Sequence, residues 1–349
     1  MAIRWILPVL AIVLAACTPQ GVATKSGSPR ETLPAHITEL TELGSVVRPS
    51  WSGDGRYFLY LDALVGDVYE YNVAERSARS LTGHFEHAGF TRAHYLASGD
   101  YLFCGPSAVD PDDPEKGRWD SEFYFLSQTL DSPAVPLQEA CFEGPAVARD
   151  SMRIAWTRTN YPDKLLTAHS QLWTGEIALD GDTPRIANAR QLLERSDLYY
   201  LAMYEPQDFR PPSEQELIFS AYGYRGGEVM GVNLNTGARV NYSRNWWYDE
   251  PEGIAPGGNY ALVEREFTLL MNPSGEIDIW ALRLDGSGDY TRLTHFSDYR
   301  GYGANNPVVS PDCKSFLFAL RIKGGQHGNS DGLFLYDLTR SPLVPADFC

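Results

Sequence analysis

The sequence predicts an all-β fold: a six-bladed propeller of four-stranded antiparallel blades, its ring closed by an N-terminal strand in the last blade. Three features of the 349-residue chain carry this prediction. A strand–turn–strand pattern recurs with a period of about fifty residues, which is the signature of stacked repeats. Within the repeats, apolar and polar residues alternate with period two, and Gly, Pro and Asp mark the turns. Helical periodicity is almost absent. A unit this short cannot bury both faces alone, and radial stacking of four-stranded units gives a propeller.

In chain order, residues 1–16 form a leader. Arg4 supplies positive charge and Trp5 to Leu14 is an apolar run. That run is about half the twenty residues a bilayer span needs, so it is a secretory signal. Residues 17–35 are rich in Thr, Ser, Pro and Gly and predict a flexible tether. Residues 36–349 carry the repeats. Unit one holds Pro49-Ser50-Trp51-Ser52-Gly53-Asp54-Gly55, then Phe58 to Leu61 and Asp67 to Val73. Unit two turns at Ala97 to Asp100, before Tyr101 to Cys104 and Glu122 to Ser127. Unit three holds Pro145 to Asp150, Ile154 to Thr157 and Leu172 to Ile177. Unit four is degenerate, with its turn stretched over Glu205 to Glu216. Unit five holds Pro251 to Gly258, Tyr260 to Val263 and Asp278 to Leu282, and unit six runs from Asn306 to Leu338. His36 to Thr41 matches a fourth strand with no first three, so it completes unit six and removes a free edge.

Composition narrows the function. Hydrophobic content of 43% with 21% charged residues fits a packed core and not disorder. Aromatics at 12% suit strands and binding surfaces. A net charge of -16 argues against nucleic acid as a partner, because phosphate binding needs Lys/Arg stripes. It also disfavours electrostatic adhesion to an anionic membrane.

Leu14-Ala15-Ala16-Cys17 resembles a bacterial lipobox. The resemblance implies cleavage before Cys17 and acylation of that residue. Thr18 at the next position implies the outer membrane, facing the periplasm. Lipid on Cys17 is then the only expected contact with the membrane. Pro307-Val308-Val309-Ser310-Pro311-Asp312-Cys313-Lys314 and the unit-one stretch from Pro49 resemble the repeats of TolB-type, WD40-like six-bladed propellers. The resemblance covers the whole repeat region and implies the fold, while the family hosts many roles. Cys313 stands where those repeats carry a turn glycine, and the α/β domain that precedes the propeller in TolB is absent from this sequence.

Four cysteines follow the lipobox, an even number suited to an oxidising compartment. Cys104 ends a second strand and Cys141 begins a connection between units, so these two are expected to pair. That leaves Cys313 with Cys349.

Chemistry is harder to read. Gly328-Asn329-Ser330-Asp331-Gly332 matches Gly-x-Ser-x-Gly, but a strand follows where a nucleophile elbow needs a helix. No cofactor is expected. The acidic run Asp110 to Glu115 has oxygen donors for Ca²⁺ but reads better as a solvated loop. His84 and His87 have metal-ligand spacing, and Gln326-His327 is similar to part of the metal site of oligogalacturonate-lyase-type propellers, whose fuller His set is missing here. Connections between units, and those between second and third strands, open on one face. That face is expected to collect Arg48, His84, His87, Glu143, Tyr199, Tyr200, Trp246, Trp247, Tyr248, Asp249, Glu250, Glu252, Tyr299, Arg300, Tyr302, Asn305 and Asn306. Such a set suits a protein or peptide from the envelope, or a polysaccharide. Some of these rings are expected to pack as core. Asp249, Glu250 and Glu252 also offer paired carboxylates for acid–base work. The reading from sequence is a lipid-anchored binding or scaffolding module without catalytic residues. A carbohydrate-active propeller is the alternative.

Overall fold

The computed structural model describes residues 25–44, 46–110, 114–160, 169–198, 202–267, 276–324 and 330–349. Cys17, Tyr199, Tyr200, Pro111, Asp112, Asp113, Gln326, His327, Gly328 and Asn329 lie outside the described residues. Among the described residues no helix is long and apolar enough to cross a membrane.

The chain is a β-propeller. Its first sheet holds Val47–Trp51, Tyr57–Leu61, Val68–Asn72 and Ser77–Ser80. The second holds Arg92–Tyr95, Tyr101–Pro106, Ser121–Leu126 and Val135–Ala140. The third holds Ala146–Val147, Arg153–Thr159, Ser170–Asp180 and Thr183–Glu194. The last holds Tyr302–Val309, Ser315–Ile322 and Leu333–Asp337, with Ile37–Glu39 as its outer strand. Ile37 lies opposite Tyr336 and Glu39 opposite Phe334, so the N-terminal strand joins the last sheet as expected.

The expectation of six separate four-stranded sheets is corrected. Four sheets are four-stranded, and the other eight strands, from Met203–Phe209 to Tyr290–Arg292, form one sheet. Within it, two antiparallel runs meet at a single parallel pair, Gly227 opposite Tyr248. Gly226 makes this possible. Its φ is 113°, and a Cβ there would sit 2.7 Å from the Trp247 carbonyl oxygen. Without a side chain the two backbones approach closely enough for the Gly227 N–H to donate to that oxygen at 3.1 Å.

The recurring turn has a clear cause. Ser52 Oγ accepts from the Tyr57 N–H at 3.0 Å and donates to Asp54 at 2.8 Å, while Asp54 accepts from the Arg56 N–H. Ser310, Asp312, Lys314 and Ser315 repeat this arrangement. The side chains thus replace ladder bonds that a tight turn cannot make. Gly55 takes φ 69° in the first turn, and Cys313 takes φ 56° at the matching place in the other. A left-handed non-glycine residue is strained by roughly 1–2 kcal/mol. Cys313 is bridged to Cys349, which ties the C-terminus beneath that turn. Cys104 is bridged to Cys141.

Residues 25–35, read from sequence as part of a tether, are held against the last sheet. Lys25 pairs with Asp298 at 3.3 Å and lies over the Tyr299 ring, and Arg30 binds Glu39 at 2.8 Å. Residues 25–35 therefore pack on the connection into the last sheet and on its outer edge.

Apolar faces meet between neighbouring sheets: Leu262, Ile279 and Ala281 share one buried cluster with Phe316, Phe318 and Leu320 of the last sheet. Within the last sheet Phe316 stacks on its cross-strand partner Tyr336 at 4.4 Å, and Phe296 packs edge-on against Phe318 and Phe334. Phe334 has no solvent exposure and sits opposite the closing strand. Phe334→Ala is expected to lower unfolding free energy by about 3–5 kcal/mol. Urea titration followed by tryptophan fluorescence measures it.

Candidate functional site

The first strand of each unit has one edge that its own unit leaves uncovered, and in the fifth unit that edge is met only by the single pair Gly227 and Tyr248. Proline is tolerated at such an edge because the missing N–H has no ladder to serve. It recurs there or just before: Arg48-Pro49, Gly144-Pro145, Glu205-Pro206, Pro251-Glu252 and Asn306-Pro307. Pairing to the second strand shifts register between Val47 and Ser50, Pro206 and Asp208, Pro251 and Gly253, and Asn305 and Val308. Each shift is a bulge, which adds a residue and re-aims a side chain. Arg48 and Asn306 adopt left-handed φ of 56° and 49° at these sites. The result is a cavity of ≈ 80 Å³ lined by Arg48, Arg92, His94, Glu143, Glu205, Gln207, Glu252 and Asn306, among others.

One wall is cationic. Glu143 receives Arg118 at 2.7 Å, Arg92 at 3.0 Å and Arg48 at 3.9 Å, three guanidiniums around one carboxylate. Arg48 also donates to the Thr91 carbonyl at 2.6 Å. The other wall is acidic. Glu250 lies directly across the ladder from Glu264, a like-charged pairing that disfavours ionisation of both. Oxygens of Glu250, Glu252 and Glu264 lie within 4.8 Å of one another. Such a set either shares protons or supplies donors to a hard cation. Among the described residues, Glu205, Glu250, Glu252 and Glu264 form no ion pair within 4 Å.

Tyrosines hold this wall. Tyr222 Oη reaches Glu205 at 2.8 Å and also contacts Glu250, while Tyr248 Oη donates to Glu250. A hydroxyl carries one proton, so Tyr222 cannot donate to both carboxylates. Protonation of one of them resolves the conflict. Burial, then repulsion from Glu250, pushes Glu205 and Glu252 well above the usual carboxylate range. The same causes raise Glu264 to about 8, against the pull of the Asn306 N–H that it accepts at 2.6 Å. Burial also raises Glu250, although both tyrosine hydroxyls oppose it. His94 is lowered to about 4 by burial and by Arg92, so its ring is neutral.

The residues expected on this face separate into several places. Trp246 is 61% exposed, with the Arg225 guanidinium 5.3 Å from its ring. Trp247 is half-buried against Phe267, and Tyr248 is buried against Tyr222. Glu252 lines the cavity, and Glu250 lies beside it in the acidic cluster. Asp249 lies on the opposite side of the strand, fully buried, with Arg265 at 3.4 Å and Asn245 as partners. It cannot join them in acid–base work, because adjacent strand residues point to opposite faces.

His84 is exposed beside Phe85. His87 contacts Asp67 through Nε2 at 3.0 Å and accepts the Gly89 N–H at Nδ1, so both ring nitrogens are engaged. Tyr299 is buried under Lys25 and contacts Thr32. Arg300 is exposed, and Tyr302 packs on the core of the last sheet. Asn305 is buried while Asn306 faces the cavity. Ser330 is buried with its hydroxyl on the Val46 carbonyl, which leaves it no role as a nucleophile. Asp110 pairs with Lys116 at 3.8 Å. Glu205, Glu264, Arg92 and Arg118 were not anticipated. The prolines beside the bulges were the available signal for Glu205, and no local pattern marks the others.

No family model and no characterised protein sequence matches the chain. Its fold is similar to that of several solved propellers. A protein assigned as TolB from Agrobacterium tumefaciens is 14% identical, covers 82% of this chain and 96% of its own, and superposes with a TM-score of 0.55. A gluconolactonase from Xanthomonas campestris is 14% identical over 86% of this chain and 89% of its own, with a TM-score of 0.53. An oligogalacturonate lyase from Vibrio parahaemolyticus is 10% identical over 90% and 94%, with a TM-score of 0.50. At such identities the likeness concerns the fold alone.

The acidic wall makes stability depend on pH. Glu264 has an ordinary value of 4.5 and about 8 in the fold, so folding takes up a proton between those limits. Its contribution is complete below 4.5 and is lost as pH rises through about 8. Unfolding free energy is expected to fall from about pH 5 to about pH 8 by at most about 1.4 kcal/mol per pH unit for this group. Glu264→Gln keeps a carbonyl for the Asn306 N–H and is expected to flatten the slope in urea titrations.

Proposed function

We propose that this chain is a lipid-anchored, TolB-type propeller of the bacterial envelope that acts as a non-catalytic binding module for a protein or peptide partner. The observation that carries the reading is Trp246, exposed over most of its surface beside Arg225 on the face where the chain connects its repeats. A large ring left in water costs hydration free energy, and Trp with Arg is the pair most enriched where a partner later excludes water. The base of this loop is fixed by Trp247 against Phe267 and by Asn245 against Asp249. The anchor is pre-organised, so little ordering entropy is lost on binding. Leu14 to Cys17 supports attachment through lipid on Cys17 at the periplasmic side of the outer membrane.

A second reading, a polysaccharide-active propeller or lectin, has one observation in its favour. Glu264 keeps a proton near neutral pH beside other carboxylates, as a general acid must. Trp246 would then be a stacking platform for sugar.

Trp246→Ala and Arg225→Ala are expected to weaken capture of a crosslinked, near-stoichiometric envelope partner at least tenfold in affinity pull-downs read by mass spectrometry. Undiminished capture by both variants rejects this face. Turnover of a polysaccharide that is lost in Glu264→Gln would establish the second reading instead. Cys17→Ser is expected to abolish incorporation of labelled palmitate and release the protein from the membrane fraction, and retained label would reject the anchor.

A further inference from the structure

The channel cavity is a second place to look, apart from Trp246. One of its walls presents guanidinium groups and the other carboxyl groups. On one side Arg48 and Arg92 share Glu143 with a third guanidinium, so Glu143 alone does not neutralise them. The Arg48 side chain is only 6% exposed. On the other side Glu205 and Glu252 line the cavity without an ion pair within 4 Å among the described residues. Glu205 is 9% exposed, and only its Oε2 has a hydrogen-bond partner, Tyr222. Glu205 Oε1 has none among the described residues. Among the same residues, the sole hydrogen bond to Glu252 is a long one, 3.5 Å from Asn306 Nδ2. Buried ionisable groups are normally paired or bind a ligand, and here the arginines outnumber their one carboxylate while two carboxyl groups keep free oxygen atoms in the same cavity.

We propose that this cavity binds a small zwitterion of the α-amino-acid class, its ammonium taken by Glu205 and Glu252 and its carboxylate by Arg48 and Arg92. A lone cation would leave the arginine wall unmatched, and a lone anion would meet the glutamates. A zwitterion satisfies both and adds no net charge to the interior. Arginine suits the carboxylate because its planar fork donates two parallel N–H groups. An ammonium has three donors, which fit Glu205 Oε1, Glu252 and the side-chain carbonyl of Gln207 on the same lining. The volume of ≈ 80 Å³ is well under the roughly 300 Å³ of drug-sized pockets, so it admits the head group and little more. The neutral ring of His94 and the amide of Asn306 complete the polar part of the lining, and Pro49, Ala93, Pro145, Pro206 and Val308 supply its apolar part.

Isothermal titration with glycine, L-alanine, methylammonium, acetate and CaCl₂ tests the proposal on the intact protein. Glycine and L-alanine are expected to give saturable heats, with methylammonium and acetate each at least tenfold weaker. Glu252→Gln removes a like charge from the acidic wall and should fold. It is expected to weaken glycine at least tenfold, as is Glu205→Gln. The proposal is overturned by no saturable binding of either amino acid, or by Ca²⁺ or methylammonium alone binding as tightly as glycine. Unchanged glycine binding in both variants would also overturn it.

Discussion

The uncovered inner edge of each repeat unit is the constraint on which the rest of this propeller depends. A sheet edge presents N–H and C=O groups without partners, and several such edges meet around the cavity. Proline at the edge removes a donor that would otherwise need a partner. A bulge beside it spends one residue on turning a polar side chain inward. Arg48, Glu205, Glu252 and Asn306 stand at or next to these bulges and line the cavity. The device that relieves the backbone therefore also chooses which side chains meet at the centre.

That meeting separates charge. Three guanidiniums gather on Glu143, while Glu205, Glu250, Glu252 and Glu264 face one another with tyrosine hydroxyls between them. Buried like charges are costly, so the acidic wall holds protons that free glutamates would have lost. Stability is given up here for a centre that can exchange a proton for a cationic group. The rest of the molecule offsets the cost with apolar packing between sheets, of which Phe316 on Tyr336 and Phe334 behind the closing strand are examples.

Much of the fold was legible in the chain. Alternation of period two and the Ser-x-Asp turns are local, and each turn is built by side chains two to five residues apart, as Ser52 and Tyr57 show. Ring closure by Ile37–Glu39 followed from counting an orphan strand at one end and an incomplete unit at the other. The joined eight-stranded sheet was not legible, since it depends on how closely Gly226 lets two separate units approach. The site was legible only in part. Asp249, Glu250 and Glu252 were read as one carboxylate set, although strand alternation turns Asp249 away from the other two. Trp246 and Trp247 look alike in sequence, and only the packing of Phe267 decides which ring stays in water.

By itself the sequence determined the repeat, its turns and the closing strand, because each is written in neighbouring residues or in their spacing. Tertiary structure alone decided that Glu205 and Glu264 belong with Glu250, and that Arg48, Arg92 and Arg118 converge on Glu143. These groups come from different repeats or from different strands of one repeat. Their distances are set by the angle between units and by ladder register, which no local pattern encodes.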